Sequence, residues 1–389
     1  MVESEMSGSQ ILVLGGGVGG LVASNVLAER LGERAKVTLV ERKDKFQFPP
    51  SYPWLMLGMR RPDQVQKGLG TLRKKGIEVV NGEVSSIDVE KRVVGTEGGD
   101  LYYDHLVLAL GAEYALDAIP GFREHARHVY DLESALRFKD AIERFQGGTV
   151  AIGISRTPFK CPAAPYEVAL LLEDYFAKKG IREKVRFEFF TPEPMPVPAV
   201  GPEIGGKVLE FLRSRGIDYH PRMKVAEVRP GEVRFDGGDV IPFDLLFCVP
   251  PHVAPSVVVE AGLTDQTGWV PVDPRTLETK HPGVFAVGDV ASVPTPNGYV
   301  PFLPKAGVFA HGQAEVVASN LAREVSGRGK KKEWGGEGSC FLEAGKGQSA
   351  FVKGVFLGDG KPEMEFHMPG RVWHMQKVLF ERYWMRHWF

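Results

Sequence analysis

Cysteine, net charge and long apolar runs are scarce in this chain of 389 residues. Its three cysteines, at positions 161, 248 and 340, are too few for a disulfide framework, and no Cys/His cluster has metal-ligand spacing. The formal net charge of -1 excludes the strongly basic balance that is typical of nucleic-acid-binding proteins. We therefore expect neither a metal site nor a nucleic-acid partner.

Signals for membrane crossing and export are missing as well. No run of about 18 uncharged apolar residues, the length of a transmembrane helix, is present. The N-terminal stretch MVESEMSGSQ is polar and lacks an apolar segment, so we expect no secretory signal. Glycine and proline are plentiful, with 46 and 28 residues, which suits an α/β protein with many tight turns.

A glycine-rich turn lies near the start of the chain. The apolar run 11–14 leads into GGGVGG (15–20), an apolar-periodic segment covers 21–31, and a second apolar run ends at Glu41. This order predicts strand, turn, helix and strand, with Gly15, Gly17 and Gly20 in a G-x-G-x-x-G pattern. Such a turn lets a pyrophosphate approach the backbone, and a carboxylate at the end of the second strand can bind a ribose. The turn predicts a dinucleotide site but leaves open whether NAD or FAD binds there.

A second motif decides between the two cofactors. Gly288 and Asp289 follow a predicted strand, where the carboxylate can hold a ribityl hydroxyl. This motif, TKHPGVFAVGDVA (279–291), and LVLALGAEY (106–114), which contains Gly111, resemble those of the glutathione-reductase-like flavoproteins with two dinucleotide-binding domains. The resemblance covers residues 10–325 and implies FAD as the cofactor.

The same resemblance implies the fold and the domain boundaries. We expect an α/β fold with two tandem Rossmann-like domains. The FAD-binding domain is discontinuous, over 10–111 and 279–325, and the second domain covers 112–278. A C-terminal region with a membrane-docking segment follows over 326–389.

The second domain lacks a glycine turn for NAD(P)H. The segment TVAIGISRTPFKCPAAPYE (149–167) keeps Gly153 but has Pro158, Pro162 and Pro165 where the turn and the helix N-terminus belong. Without glycines the backbone cannot approach a pyrophosphate closely. We expect that NAD(P)H is not the electron donor, while a degenerate site that still binds it stays open.

Two cysteines extend the resemblance to a narrower group. Cys161 in FKCPAAPYE and Cys340 in GSCFLEAGKGQSAF resemble the cysteines of sulfide:quinone oxidoreductases and of the flavoprotein subunit of flavocytochrome c sulfide dehydrogenase. In both families such a pair flanks the flavin and carries sulfur. Cys248 is predicted to be an inert thiol in a buried strand. Two features depart from these families: 112–148 has no third cysteine, and 46–58 has no cysteine for covalent FAD, so we expect noncovalent FAD.

The resemblance also implies roles for Cys161, Cys340 and Lys305, and the position of Glu167, six residues after Cys161, suggests a fourth. Sulfide would attack a disulfide of Cys161 and Cys340, and two electrons would then pass to FAD. Which cysteine contacts the flavin stays open, and each could instead be a small buried hydrophobe. Glu167 is a candidate proton acceptor or a helix-dipole partner. Lys305 resembles the family's lysine at the pyrimidine end of the flavin, the alternative being a solvated helix-end lysine.

The C-terminal region combines a linker with an aromatic tail. The composition of 326–339 predicts a linker, and 370–389 carries aromatic and basic residues with one acidic residue. A helix there would place Trp373, Phe380, Trp384 and Trp388 on one stripe, interrupted by Lys377. This pattern favours a helix lying in a membrane interface, or one docked on the protein's own core or on a dimer mate.

The leading hypothesis is therefore a peripheral membrane flavoenzyme that oxidises sulfide and reduces quinone. Phe341 and Phe351 could line the quinone slot or belong to the core. We expect a homo-oligomer at the cell membrane. The alternatives are a flavocytochrome-type subunit, a type II NADH dehydrogenase and a flavin-binding redox sensor without turnover.

Overall fold

Two parallel β-sheets with flanking helices carry most of the chain. The computed structural model describes residues 8–296, 298–358 and 360–389. The strands are β1 Ser9–Leu14, β2 Ala35–Glu41, β3 Lys45–Gln47, β4 Gln66–Gly68, β5 Ile77–Asn81, β6 Val84–Asp88, β7 Val93–Thr96, β8 Gly99–Tyr102, β9 His105–Leu108, β10 Glu113–Tyr114, β11 Gly148–Ile154, β12 Val185–Phe190, β13 Ile217–His220, β14 Val225–Arg229, β15 Glu232–Phe235, β16 Val240–Pro242, β17 Leu245–Val249, β18 His252–Val253, β19 Val270–Pro271, β20 Val284–Ala286, β21 Ala291–Ser292, β22 Glu337–Glu343, β23 Ser349–Val355 and β24 Glu363–Gly370. The helices are α1 Val18–Leu31, α2 Tyr52–Leu55, α3 Phe122–His125, α4 Leu132–Arg144, α5 Ala164–Lys178, α6 Pro202–Ser214, α7 Ser256–Glu260, α8 Gly307–Ser326 and α9 Arg371–His387.

The first sheet has the strand order β20-β9-β1-β2-β5, and its pairings are parallel. The apolar run at Ile11–Leu14 is fully buried in the middle of this sheet. Helix α1 connects β1 to β2, as the sequence predicts for a dinucleotide-binding unit. Strand β20 joins the sheet beside β9 from far along the chain, so the chain returns to this sheet after forming the second one.

The second sheet has the strand order β13-β12-β11-β17 and is also parallel. Helices α5 and α6 connect its consecutive strands. The predicted α/β fold with two Rossmann-like parallel sheets is therefore confirmed. Parallel sheets bind ligands beyond the carboxyl ends of their strands, where β1 leads into α1 and β11 into the loop before α5.

One stretch that was expected in the second domain packs against the first sheet instead. Residues 254–277 were expected in the second domain, but the buried side chains of Val258, Trp269 and Leu277 belong to the same hydrophobic core as β1 and α1. The packing therefore assigns this stretch to the first sheet, and the exact boundaries stay a prediction.

The C-terminal region is an antiparallel sheet of β22, β23 and β24, followed by α9. The stretch 326–339, expected to be a linker, is attached to the core because Trp334 is buried there. Arg275 donates through its guanidinium to the carbonyls of Trp334 and Leu357, which fixes this attachment. The region is therefore firmly docked on the first sheet.

Helix α9 faces the protein with charged as well as aromatic side chains. Trp384 and Trp388 are buried, and Trp384 stacks on Phe46 with 5.0 Å between ring centroids. Lys377 and Glu381 are buried too, and Arg60 forms a forked pair with the Glu381 carboxylate at 2.7–3.0 Å. Half of the predicted stripe thus packs on the protein's own core. Within the described ranges no helix combines the length and apolarity that a bilayer span requires.

Candidate active site

The glycine turn after β1 has three different local constraints. Gly15 has a positive φ of 99°, and a Cβ there would lie 2.4 Å from the carbonyl oxygen of Ala109. A Cβ on Gly20 would lie 1.8 Å from the carbonyl oxygen of Gly15, so this glycine permits close packing of helix on turn. A Cβ on Gly17 would meet nothing within 4 Å. Gly17 therefore faces open space, where a ligand's phosphates can approach the backbone.

That open space is a cavity of about 380 Å³. The predicted cofactor residues that line it are Gly15, Gly17, Glu41, Gly111, Gly288 and Asp289. No side chain caps the N-terminus of α1, and its first turn holds no acidic residue, so its N–H groups and dipole are available to an anion. The Glu41 carboxylate accepts hydrogen bonds from the N–H groups of Gly16 (2.6 Å) and Lys43 (3.0 Å), which fixes it at the ribose position. These residues fit a dinucleotide.

Gly288 and Asp289, the second predicted cofactor motif, also line this cavity. Gly288 has a φ of 75°, and its N–H donates to the side-chain oxygen of Gln313 on α8 at 2.7 Å. Lys160 also lines the cavity and lies over the ring of Tyr114 at 4.9 Å. Burial by itself would lower the pKa of Lys160, but Tyr114, Asp289 and Asp131 raise it. Lys160 was not predicted as a site residue, and the available signal in the sequence was its position directly before Cys161.

Lys305 is buried rather than solvated. Its amine donates to the carbonyls of Asp289 (2.6 Å) and Ala291 (3.2 Å) and lies 3.4 Å above the ring of Trp269. Burial lowers the pKa of this amine to about 8. It lines a different cavity from the glycine turn, and its assignment to the flavin stays a prediction.

The loop between β11 and α5 brings Cys161 to the cofactor cavity. Cys161 lines this cavity and has a φ of 56°, a left-handed conformation that residues other than glycine adopt at a cost of roughly 1 kcal/mol or more. Its N–H donates to the carbonyl of Lys305 at 2.7 Å, and its own carbonyl accepts from Ala164. Because the surrounding bonds fix this strained backbone, the sulfur has a defined position.

Cys340 lies in the middle of β22, the strand whose Glu343 N–H donates to the Glu167 carboxylate on α5 at 2.8 Å. Burial raises the pKa of the Cys161 thiol, and the charge of the nearby Cys340 and Glu167 raises it further. Burial and Glu167 likewise raise the pKa of Cys340 to about 12. The structure thus brings together the two cysteines and the carboxylate that the sequence analysis singled out.

Glu167 is held by two contacts in the protein interior. Lys377 on α9 donates to its Oε1 at 2.6 Å, and the N–H of Glu343 donates to the same oxygen at 2.8 Å. Burial raises the pKa of Glu167, although Lys377 opposes this shift. In the sequence, Lys377 is visible as the residue that interrupts the aromatic stripe. A lysine at that position was the available signal for a buried cation.

A second cavity, of about 670 Å³, lies on the Cys340 side of this cluster. Its lining is largely apolar and includes Cys340, Phe351 and Lys305. Phe341 and Phe351 lie 5.1 Å apart between ring centroids, and Phe351 stacks on Trp373 at 4.8 Å. Phe351 lines the cavity whereas Phe341 does not, and the quinone assignment of both stays a prediction.

The other residues of the second domain that the sequence analysis named, Gly153, Pro165 and Cys248, have structural explanations. A Cβ on Gly153 would lie 1.9 Å from the Phe190 ring, so this glycine makes room for an aromatic side chain. The helix that follows begins with Pro165 in its first turn, and the loop before it presents Cys161. Cys248 is completely buried in β17.

Comparisons with known proteins agree with this arrangement. The model of the pyridine nucleotide-disulphide oxidoreductase family matches residues 9–314. The sulfide-quinone reductase of Aquifex aeolicus is 27% identical over 96% of this chain and 90% of its own length, and the mitochondrial sulfide:quinone oxidoreductase of mouse is 26% identical over 86% and 76%. The X-ray structure of the Aquifex aeolicus enzyme superposes with a TM-score of 0.87 over 97% of this chain and 90% of that one.

The fold and the glycine-lined cavity define an FAD-dependent oxidoreductase. The chain belongs to the pyridine nucleotide-disulphide oxidoreductase family. The segments around Cys161 and Cys340 indicate a resemblance to sulfide:quinone oxidoreductases, and these relatives confirm it.

Replacing Gly17 tests the cofactor cavity. We expect Gly17→Val to lower FAD affinity at least tenfold while leaving the fold intact, because the new side chain meets open space in the protein but occupies the pyrophosphate position. The matched control is Gly206→Val on α6, where a Cβ also meets nothing within 4 Å. Flavin stoichiometry after desalting and circular dichroism provide the readouts. Full FAD retention in Gly17→Val would contradict the assignment.

Proposed function

We propose that this protein is an FAD-dependent sulfide:quinone oxidoreductase. The observation that carries the proposal is the approach of Cys161 and Cys340, from different parts of the chain, to Glu167: Cys161 and Glu167 line the cofactor cavity, and Cys340 lines the second cavity. The names of its relatives in Aquifex and mouse support the substrate pair. An unrelated flavoprotein has no need to bring two distant cysteines to the same carboxylate.

The chemistry follows from the sulfur pair. Hydrosulfide attacks the disulfide of Cys161 and Cys340: one S–S bond breaks, a new S–S bond forms, and the products are a persulfide and a thiolate. Bound FAD supplies a two-electron acceptor that passes the electrons to quinone. Overall, HS⁻, quinone and H⁺ give quinol and one sulfur atom at the zero-valent level, which extends a polysulfide.

Burial determines which protonation states Cys161, Cys340 and Glu167 favour. A raised thiol pKa disfavours an isolated thiolate, so the thiolate formed in the attack needs the cation of Lys377, which opposes the shift in both cysteines. Glu167 is the carboxylate in position to take the proton that sulfide releases. We infer that Cys161, Cys340 and Glu167 are the catalytic residues.

The other donor considered, NADH, has weaker support. Gly153 makes room for Phe190, and the proline-containing loop with Cys161 occupies the place of a nucleotide-binding turn. Both features favour a sulfur donor over a dinucleotide donor.

The exposed face of α9 supports docking on a membrane surface. Large apolar side chains are exposed on this short helix: Val372, Met375, Leu379, Phe380 and Tyr383. Three arginines, at positions 371, 382 and 386, are exposed beside them, whereas the acidic Glu381 is buried. An apolar face flanked by cations fits the interface of an anionic bilayer, from which a quinone can reach the protein. We therefore propose a peripheral membrane location; the homo-oligomer stays a prediction.

The sulfide half-reaction tests the proposed function. Under anaerobic conditions we expect sulfide to bleach the flavin absorbance of the purified holoenzyme, whereas NADH does not. Cys161→Ala and Cys340→Ala should each slow bleaching at least 100-fold, and Cys248→Ala, at a buried site in β17, serves as the control. Rapid bleaching by NADH with sulfide inert would overturn the proposal.

Vesicle binding tests the role of α9. We expect Leu379→Glu, on the exposed face, to reduce co-sedimentation with phosphatidylglycerol-containing vesicles at least fivefold, because it adds a charge to the apolar surface. Val259→Glu, at a position with similar exposure elsewhere (50% against 54%), is the matched control. Equal loss in both variants, or none in Leu379→Glu, would argue against docking through this helix.

A further inference from the structure

A row of buried ionisable side chains connects the cysteine pair to the protein surface. Its inner end is Glu167, which accepts from Lys377 Nζ at 2.6 Å. Lys377 Nζ lies 3.9 Å from Glu343 Oε1, close enough for a small side-chain movement to complete the contact. Both oxygens of Glu343 lie 3.1 Å from Nδ1 of His374, and Ser349 donates to Glu343 at 2.6 Å. The row thus runs from α5 through β22 to the first turns of α9.

The charges in this row do not balance. Two carboxylates and one ammonium leave one negative charge in the interior, where an uncompensated charge is costly. Of the neighbouring ions, Arg60 pairs with Glu381, Arg182 and Arg215 both contact Glu173, and the two cysteines are neutral as thiols. Burial alone would lower the pKa of Lys377, but Glu167 and Glu343 raise it, so the ammonium remains charged. Counted within the row itself, one extra proton balances the charge.

This extra proton can bind at either of two groups, which lie at opposite ends of the row. One is Glu167, which is buried beside the cysteines. The other is His374, whose side chain is 24% exposed and which contacts the fully buried carboxylate of Glu343. With the proton on either group the row is neutral, so moving it from one end to the other leaves the interior charge unchanged.

We propose that Glu343 and His374 form a proton-transfer path between Glu167 at the cysteine pair and the surface at the start of α9. The path rests on the proposed function, because sulfide oxidation releases the proton that it carries. Lys377 gives a proton to Glu343 as it takes one from Glu167, Glu343 passes its proton to His374, and His374 releases it to solvent. No electrons move along the row, and Lys377 ends in its starting state.

The experiment compares His374→Gln with His281→Gln in the FAD-loaded enzyme. The control histidine has a similar exposure of 22% and faces Glu90 at 3.8 Å, away from the row. We expect His374→Gln to slow anaerobic flavin reduction by sulfide at least tenfold and to increase its solvent deuterium isotope effect, with His281→Gln unchanged. Imidazole should partly restore the rate of His374→Ala but not affect the native enzyme. Glu343→Gln, which keeps a side chain of the same size, should slow the reaction in the same way.

A spectroscopic measurement separates this path from a merely structural role. In the infrared spectrum, His374→Gln should strengthen the band of a protonated carboxyl group, because the proton has lost its outer site, and Glu167→Gln should weaken it. Native rates and isotope effects in both His374→Gln and Glu343→Gln, or an unchanged infrared band, would overturn the path. Failure of sulfide to reduce the native enzyme would instead overturn the proposed function.

Discussion

The contact between Glu167 and Lys377 connects the two parts of this protein that carry the proposed cysteine pair. Glu167 lies on α5, directly after the loop with Cys161, and Lys377 lies on α9, which packs on the strands that carry Cys340. Two buried charges at 2.6 Å are tolerated only as a pair, since removal of either leaves the other without compensation. The pair therefore fixes the C-terminal region, which carries Cys340, against the second domain, which carries Cys161.

The two faces of helix α9 carry different sets of side chains. The face toward the protein contains Lys377 and Glu381, whereas the face toward solvent is apolar and basic. In an ordinary surface helix the apolar side faces the core. Helix α9 has apolar side chains on both sides, since Trp384 and Trp388 are buried toward the protein, and its additional exposed apolar side chains are the feature on which the membrane-docking proposal rests.

The sequence was sufficient for the fold and for the nucleotide turn because both depend on local patterns. The spacing of Gly15, Gly17 and Gly20 between a strand and a helix has one common structural solution, and the structure has it. Lys160 and Glu343 were not found in this way, because their contacts are with residues far away in the chain, and Lys377 was visible only as the interruption of the aromatic stripe. The aromatic stripe of α9 left two alternatives open, and for Trp384 and Trp388 the structure has the second one: they pack in the core around Phe46, which lies far away in the chain.

Sulfide oxidation by this cysteine pair requires that the two sulfurs come close enough to bond in the working enzyme. Peptide mass spectrometry of the oxidised, non-reduced protein measures this directly. We predict one cross-linked species in which the peptides with Cys161 and Cys340 are joined by a disulfide or by a bridge of additional sulfur atoms. Exclusively unlinked peptides after oxidation and sulfide treatment, or a bridge from either cysteine to Cys248, would contradict the account.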